Sequence, residues 1–321
     1  MSVSNALLVL VAAKAGISLV SRLTIRPNRL RKEIIKYSDI SNIKLLDLPV
    51  EAYEDEANDE LIKENPLYEK ELKEFCTVLT KKVSRQYLDN FYRNFKTLKE
   101  MEANPVKRII RAYSESGAYN LIDNAICFET NLLSKYLNSK NHELMHAAST
   151  YYDKENGVIY SGLTQIYLDK EHIGNSRMHG VFIDEGVSQF FANKYFDPIS
   201  LLPAAHTILS DEQKVASALY EILGSDKLKY YYFRGDLKGF NEALSNYVPI
   251  EDVYKFINYT DLLFEYREDR NLHFKELTEV KRFINNFLIE AYSKSRDIKN
   301  TDIQSIAFKS RCCPFKVKTL K

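Results

Sequence analysis

The stretch Asn141-His142-Glu143-Leu144-Met145-His146 contains a complete His-Glu-x-x-His motif. Two histidines four residues apart lie on one face of an α-helix, so both imidazoles can reach a single Zn²⁺ ion. Glu143 is then placed to polarise a water molecule rather than to bind the metal. The alternative is a helix that carries two surface histidines by accident. Helical surroundings and a third metal ligand downstream are the features that separate these readings.

The residues around the motif have a helical pattern. Apolar side chains lead into the motif and continue through and beyond it, at Leu132, Leu133, Tyr136, Leu137, Leu144, Met145, Ala147 and Ala148. This spacing predicts a helix that is buried on one side. The small residues Ala147 and Ala148 would let another element approach it closely.

The third ligand is expected on an ordered element downstream, where His172, His179, Asp184 and Glu185 are the candidates. A third histidine six residues after His146, as in the metzincin pattern, is absent, because that position is a tyrosine. Glu185 is the best candidate, because a glutamate buried in a helix without a cation would be costly.

The sequence around Glu185 predicts a second helix. An apolar stripe follows it, formed by Val187, Phe190, Phe191 and Tyr195. Asp184 is predicted to cap the start of this helix. Gly186 is predicted to permit a close approach to the helix that carries the motif.

These two segments resemble the gluzincin metallopeptidases, and more narrowly a largely uncharacterised bacterial gluzincin-like set. The resemblance rests on residues 142–149 and 184–188 and covers roughly residues 85–245. The sequence departs from the usual Asn-Glu-Gly-x-Thr pattern at Asp184 and Ser188, and Gln189 stands where thermolysin-like enzymes have an aspartate. These three residues are therefore open candidates for orienting His142.

The resemblance implies one zinc ion held by His142, His146 and Glu185, with Glu143 as the catalytic base. The implied reaction is hydrolysis of a peptide bond by a water molecule that zinc and Glu143 activate. The oxyanion formed in this reaction needs a hydrogen-bond donor besides zinc. His172, His179 and the run Tyr230–Tyr232 are the candidates, and the choice among them stays open. We expect loops such as Asp153–Asn175 to shape the substrate pocket.

The expected fold class is α+β and mainly helical, a zincin-like metallopeptidase domain with a small antiparallel sheet and an active-site helix. Helical spacing runs from Pro66 to Leu79, from Leu88 to Leu98, from Leu201 to Leu223 and from Phe256 to Tyr292. Branched and aromatic residues with turn signals predict strands over 106–113, 118–121 and 125–128. The segment Ala118–Leu121 is a candidate edge strand that could pair with a substrate backbone.

We divide the chain into three parts. Residues 1–59 form an apolar and basic segment followed by an acidic linker, residues 60–295 form the catalytic domain, and residues 296–321 form a polar, basic tail that is expected to fray.

The amino-terminal part begins with an apolar run from Ala6 to Val20, interrupted by Lys14 and followed by basic residues. The run is shorter than the ~20 residues that span a bilayer. A membrane association through residues 6–23 would leave the main domain in the cytoplasm. The other reading is a buried or interfacial helix of a cytoplasmic protein.

The composition restricts the partners. The 45 basic and 44 acidic residues give a net charge of +1, which does not favour nucleic acid. The four cysteines, Cys76, Cys127, Cys312 and Cys313, form no ligand cluster and are expected to be free thiols. A peptide or protein substrate is the expected partner. The competing function is a metal- or partner-binding protein on the same scaffold without hydrolysis.

Overall fold

The computed structural model describes residues 69–100, 117–121, 124–128, 138–153, 157–167, 177–196, 210–265 and 274–299, together with 302, 304, 307–309 and 313–315. The apolar amino-terminal segment, the acidic linker, the strand predicted over 106–113 and the residues 132–137 lie outside this part. So does His172, one of the candidate ligands.

The fold is α+β and mainly helical, with a small antiparallel sheet, as the sequence predicted. The described helices are α1 (Glu69–Lys82), α2 (Asp89–Thr97), α3 (Ser139–Ser149), α4 (Val181–Tyr195), α5 (Ser210–Leu223), α6 (Ser225–Arg234), α7 (Leu237–Ser245), α8 (Ile250–Glu265) and α9 (Phe274–Ser295). The described strands are β1 (Lys99–Glu100), β2 (Gly117–Asn120), β3 (Ala125–Phe128), β4 (Thr150–Asp153), β5 (Val158–Ser161), β6 (Thr164–Tyr167) and β7 (Arg177–His179). Within the described residues, no helix has both the length and the apolar character needed to cross a membrane.

The predicted hairpin is present. Strands β2 and β3 pair antiparallel, with Tyr119 opposite Ile126, and β1 adds to β3 in the parallel direction. The order of this sheet is β1-β3-β2, so β2 lies at an edge among the described strands, as expected.

A second sheet occupies much of the segment that we expected to form loops between Asp153 and Asn175. Strands β4, β5, β6 and β7 follow one another as an antiparallel meander. Every residue of β5 and the first three residues of β6 are buried. The alternation of polar and apolar residues that identifies a half-buried strand is therefore missing from the sequence.

Helix α4 lies against α5, α3 and α8, and much of the core surrounds it. Its Phe191 ring contacts Tyr232 and Phe233 of α6, at centroid distances of 5.4 and 5.8 Å. Helix α3, in turn, packs against α2 and α4. The two helices that carry the predicted ligands are thus neighbours.

Helix α3 differs from the prediction in its extent and its burial. It begins at Ser139, after Asn138 in the left-handed conformation (φ 55°), and the apolar residues 132–137 that precede it lie outside the described part of the chain. Nearly all of its residues are buried rather than those on one face. Helices α2 and α4 and strands of both sheets contact α3, and together they account for its burial.

Parts of the carboxy-terminal tail pack against α9, which contradicts the expected fraying there. The Phe308 ring stacks on Tyr292 with centroids 3.9 Å apart. The side chain of Asn285 donates a hydrogen bond to the carbonyl of Phe315 (2.7 Å). A few apolar residues within a polar segment are sufficient to anchor it. Cys76 and Cys313 form no disulfide bond, and burial raises the pKa of the Cys76 thiol to about 12.

Candidate metal centre

The two histidines of the motif converge within helix α3. Their Nε2 atoms lie 3.1 Å apart, and their rings are nearly perpendicular (82°). Both side chains are buried. The spacing of four residues therefore brings the two imidazole nitrogens close together, as the sequence predicted.

Glu185 of α4 completes the cluster. Its carboxylate oxygens lie 3.2 Å from Nε2 of His142 and 3.7 Å from Nε2 of His146. One donor atom from each of the three residues lies within 4.8 Å of the other two, so the cluster could hold a metal ion. In the part of the chain that the structure describes, it is the one group of His, Cys, Asp and Glu side chains with this property.

Asn138, at the start of α3, ties this helix to the end of α4. Its side-chain amide donates to the carbonyls of Ala192 (2.8 Å) and Phe196 (3.0 Å), at the end of α4. Its carbonyl oxygen accepts from the side chain of Asn141 (2.7 Å). Because the start of α3 lies beside the end of α4, the two helices run antiparallel, and this contact fixes their register.

Two asparagines of α2 hold the other end of α3. Asn94 donates to the carbonyls of Ala147 and Thr150. Asn90 donates to the carbonyls of Ser149 (3.3 Å) and Phe233 (3.1 Å). The last carbonyls of a helix have no partner within it, so these amides satisfy groups that burial would otherwise leave unpaired.

Asp184 supports His146 rather than capping α4, so the predicted cap is wrong. Its Oδ2 lies 3.2 Å from Nδ1 of His146, and its Oδ1 accepts the backbone N–H of Leu163 (2.9 Å). Helix α4 begins one turn earlier than the capping prediction requires, with Gly180 at the N-cap position.

The start of α4 is capped by a residue distant in sequence. The Asp261 carboxylate accepts the N–H groups of Gly180 (2.7 Å) and Phe182 (3.4 Å). Asp261 lies on α8 and is buried. A carboxylate at a helix N-terminus also interacts favourably with the helix dipole.

Of the three residues proposed to orient His142, two contact the other histidine. Asp184 and Ser188 both lie beside Nδ1 of His146, and Gln189 donates to Asn193 (2.9 Å). Within the described residues, Nδ1 of His142 has no hydrogen-bond partner.

Gly186 faces α5 and not the helix that carries the motif. A Cβ atom at this position would lie 2.3 Å from the carbonyl oxygen of Glu212. The close approach predicted from this glycine is therefore real, but the partner was wrong. Helical periodicity places Glu185 and Gly186 about 100° apart around α4, so the two residues point to different neighbours.

The carboxylates around His146 dominate its ionisation. Burial by itself lowers the pKa of His146, but the hydrogen bond to Asp184 and the charges of Glu185, Asp184 and Glu143 outweigh it and raise the pKa to about 10. Burial raises the pKa of Asp184, and the hydrogen bonds from His146 and Leu163 oppose this. In the absence of a cation, the cluster therefore favours a positive charge on His146.

Glu143 lies beside the cluster but is not part of it. Burial raises the pKa of its carboxyl, and the nearby His142 and His146 act in the opposite direction. A hydrogen bond from the backbone of Tyr119 also favours the ionised form. Tyr119 belongs to β2, so the edge strand contacts the residue predicted to act as the base.

Of the candidate oxyanion donors, Tyr232 lies on the side of His146 opposite to the metal-binding nitrogen. Tyr232 is fully buried, and its hydroxyl lies 2.8 Å from Ser188 Oγ, on the Nδ1 side of His146. Tyr230 packs against Tyr87 (5.4 Å between centroids). His179 lies on β7 with its ring 6.5 Å from that of Tyr167.

Several residues that build the centre carried no signal in the sequence. Asn90, Asn94, Asn138 and Asp261 act through contacts with segments that are distant in sequence. The αL conformation of Asn138 is the single local clue, because asparagine tolerates it better than most residues.

No protein-family model, no curated protein and no solved structure matches this chain.

Proposed function

We propose that the protein is a zinc-dependent metallopeptidase of the gluzincin type, with a zincin-like catalytic domain. Its zinc ligands are His142, His146 and Glu185, and its general base is Glu143. The observation that carries the proposal is the convergence of two imidazole nitrogens and one carboxylate, from two helices, beside a fourth residue suited to proton transfer.

The spacing of the donor atoms fits zinc. In a tetrahedral site with bonds of ~2.0–2.1 Å, neighbouring ligand atoms are separated by ~3.3 Å. Here the two Nε2 atoms lie 3.1 Å apart, one Glu185 oxygen lies 3.2 Å from Nε2 of His142, and the other Glu185 oxygen lies 3.7 Å from Nε2 of His146. Two histidines and one glutamate are also the ligand set of zinc hydrolases that keep a fourth position open.

The ion and the protein would supply different parts of the reaction: zinc would activate the water molecule, and Glu143 would transfer its proton. A bound zinc ion would lower the pKa of a water molecule and polarise the scissile carbonyl. Glu143 accepts the proton of the attacking water and passes it to the leaving amine. Burial raises the pKa of its carboxyl, which is the direction that favours proton exchange at neutral pH, and the backbone of Tyr119 forms a hydrogen bond with it.

The position of β2 favours an extended peptide as the substrate. This strand has one partner among the described strands and lies against α3. An exposed strand edge offers backbone hydrogen bonds to a chain of any sequence. A cytoplasmic location, with residues 6–23 as a membrane attachment, is part of the same proposal and rests on the basic residues after the apolar run.

Metal content and cleavage of a peptide library together test the proposal. We expect the wild type to contain about one equivalent of zinc and to lose activity when a chelator removes it. His142→Ala and Glu185→Ala should lose zinc, whereas Glu143→Gln should keep it and lose activity by about 10²–10⁴-fold.

Glu279→Gln is the matched control, because Glu279 is an exposed glutamate on α9. It should retain both zinc and activity. A wild type without bound metal would refute the metallopeptidase and the metal-binding alternative together. A wild type that binds zinc but cleaves no peptide would favour the alternative without hydrolysis.

A further inference from the structure

A buried hydroxyl network lies behind His146, on the side of the ring opposite to the metal-binding nitrogen. It consists of Asp184 and Ser188 on α4 and Tyr232 on α6. Tyr232 and Ser188 are fully buried, and Asp184 is nearly so. The sequence offered the run Tyr230–Tyr232 only as an oxyanion donor, and no local pattern linked Tyr232 to the far side of His146, which lies 86 residues earlier in the chain.

The donors and acceptors of this network can be assigned from Ser188. Its hydroxyl donates to the backbone carbonyl of Asp184, at 2.8 Å. A serine has a single hydroxyl proton, so its oxygen must act as the acceptor toward its other neighbours. With the serine proton on that carbonyl, the hydroxyl of Tyr232, at 2.8 Å, donates to Ser188, and the side chain of Ser149 is the other partner of this hydroxyl.

The same assignment of donors and acceptors determines which ring nitrogen of His146 carries a proton. Its Nδ1 lies 3.4 Å from Ser188 Oγ and 3.2 Å from Asp184 Oδ2. Both atoms are acceptors in this arrangement, so Nδ1 carries a proton. The lone pair that can bind a metal ion is then on Nε2, the atom that faces His142 and Glu185.

The turn between β5 and β6 closes the network from the other side. Gly162 has a positive φ (+53°), and a Cβ atom there would lie 1.8 Å from Asp184 Oδ1 and 2.7 Å from the Tyr232 ring. The next residue, Leu163, donates its N–H to the same Asp184 oxygen. The turn thus restrains Asp184 and Tyr232 together.

We infer that Tyr232 is a positioning residue of the metal centre: through Ser188 it holds the His146 ring so that Nε2 is directed to the ion. This inference rests on the proposed function, since it assigns His146 as a metal ligand. Groups that orient a ligating histidine typically change metal affinity by 10–100-fold when they are removed. The effect of Tyr232 should be at the lower end, because it reaches the ring through one intervening hydroxyl.

Tyr195 provides a matched control for Tyr232. Its ring also packs against Phe191, with centroids 5.3 Å apart, compared with 5.4 Å for Tyr232. Its hydroxyl is buried, but it has no hydrogen-bond partner among the described residues. Tyr195→Phe therefore removes a buried hydroxyl from the same aromatic cluster without affecting the network.

The test measures zinc affinity by competition with a chromophoric chelator, and records the visible spectrum of the Co²⁺-substituted protein. We expect Tyr232→Phe to weaken zinc binding about tenfold and to alter the cobalt spectrum, whereas Tyr195→Phe leaves both unchanged. Ser188→Ala should weaken binding at least as much. In the Ser188→Ala background, Tyr232→Phe should have no further effect, because its connection to the ring is already lost.

Three results would overturn the inference: wild-type affinity in Tyr232→Phe, an equal loss in Tyr195→Phe, or full additivity in the double variant. A wild type without stoichiometric metal would overturn both this inference and the proposed function. A wild type that binds zinc but cleaves no peptide would refute the peptidase alone, and the affinities would still decide the role of Tyr232.

Discussion

Replacing Gly186 with alanine should change the stability of the protein in two opposing ways, through helix propensity and through packing. An alanine in the interior of a helix is favoured over glycine by ~1 kcal/mol, so propensity alone predicts a more stable protein. The added methyl group, however, would lie 2.3 Å from the carbonyl oxygen of Glu212 and 2.7 Å from its carbonyl carbon. Ordinary contact begins near 3.4 Å, so α4 and α5 would have to separate by about 1.1 Å.

The packing term should dominate. The methyl group meets backbone atoms, which cannot rotate away, and overpacking of this kind costs ~1–3 kcal/mol. We place the cost at the upper end, which leaves a net destabilisation of ~2 kcal/mol after the gain in propensity. For a domain of this size, this corresponds to a fall in Tm of ~4–8 °C. Because Glu185 is the adjacent residue, zinc affinity should fall as well.

Thermal and urea unfolding of Gly186→Ala would measure the effect, with Gly239→Ala as the control. Gly239 also lies in a helix, but its added methyl would meet side chains and not backbone: the end of Asp236 (2.3 Å) and the edge of the Tyr231 ring (2.9 Å). That carboxylate can rotate away at the cost of its hydrogen bond to the Gly239 N–H, so the net change should be within ~1 kcal/mol. A rise in the Tm of Gly186→Ala would refute the reasoning, because it would mean that α5 adapts without cost.

Three further predictions concern Glu143, His146 and Asp261. Glu143→Gln should retain zinc while peptide cleavage falls by about 10²–10⁴-fold, and activity equal to that of Glu279→Gln would exclude Glu143 as the base. In the metal-free protein, the folded-state pKa of His146 is raised from 6.5 to about 10. Its contribution to stability is therefore complete below pH 6.5 and is lost as the pH rises toward 10, which urea unfolding of the wild type and His146→Gln at pH 6.5, 8 and 10 would detect. Asp261→Ala should lower the free energy of unfolding by ~1–2 kcal/mol, because the N–H groups of Gly180 and Phe182 lose their buried acceptor; an unchanged urea midpoint would show that water replaces the carboxylate.

Local patterns in the sequence were sufficient for part of the fold. The apolar spacing predicted α2 and most of α9, and the turn signals predicted the β2–β3 hairpin. These features depend on residues within a few positions of one another. The sheet from β4 to β7 was not predicted, because burial on both faces removes the alternation that reveals a strand.

The contacts predicted for Asp184 and Gly186 were wrong for a different reason. The sequence indicated correctly that a small residue and a polar residue were needed beside Glu185, but not which neighbours required them. Asp184 contacts His146 and Leu163 instead of the start of its own helix. Gly186 contacts α5 instead of α3.

The sequence by itself determined the pairing of His142 with His146, because four residues along a helix bring two side chains to one face. It also indicated Glu185 as the third member, although the cost of burying a carboxylate without a cation applies only in part, because the Glu185 side chain is 28% exposed. Only the tertiary structure decided how the centre is supported. Asn138, Asp261 and Tyr232 act across separations of about 45 to 85 residues, and contacts of this kind arise from the packing of whole helices, which no local pattern specifies.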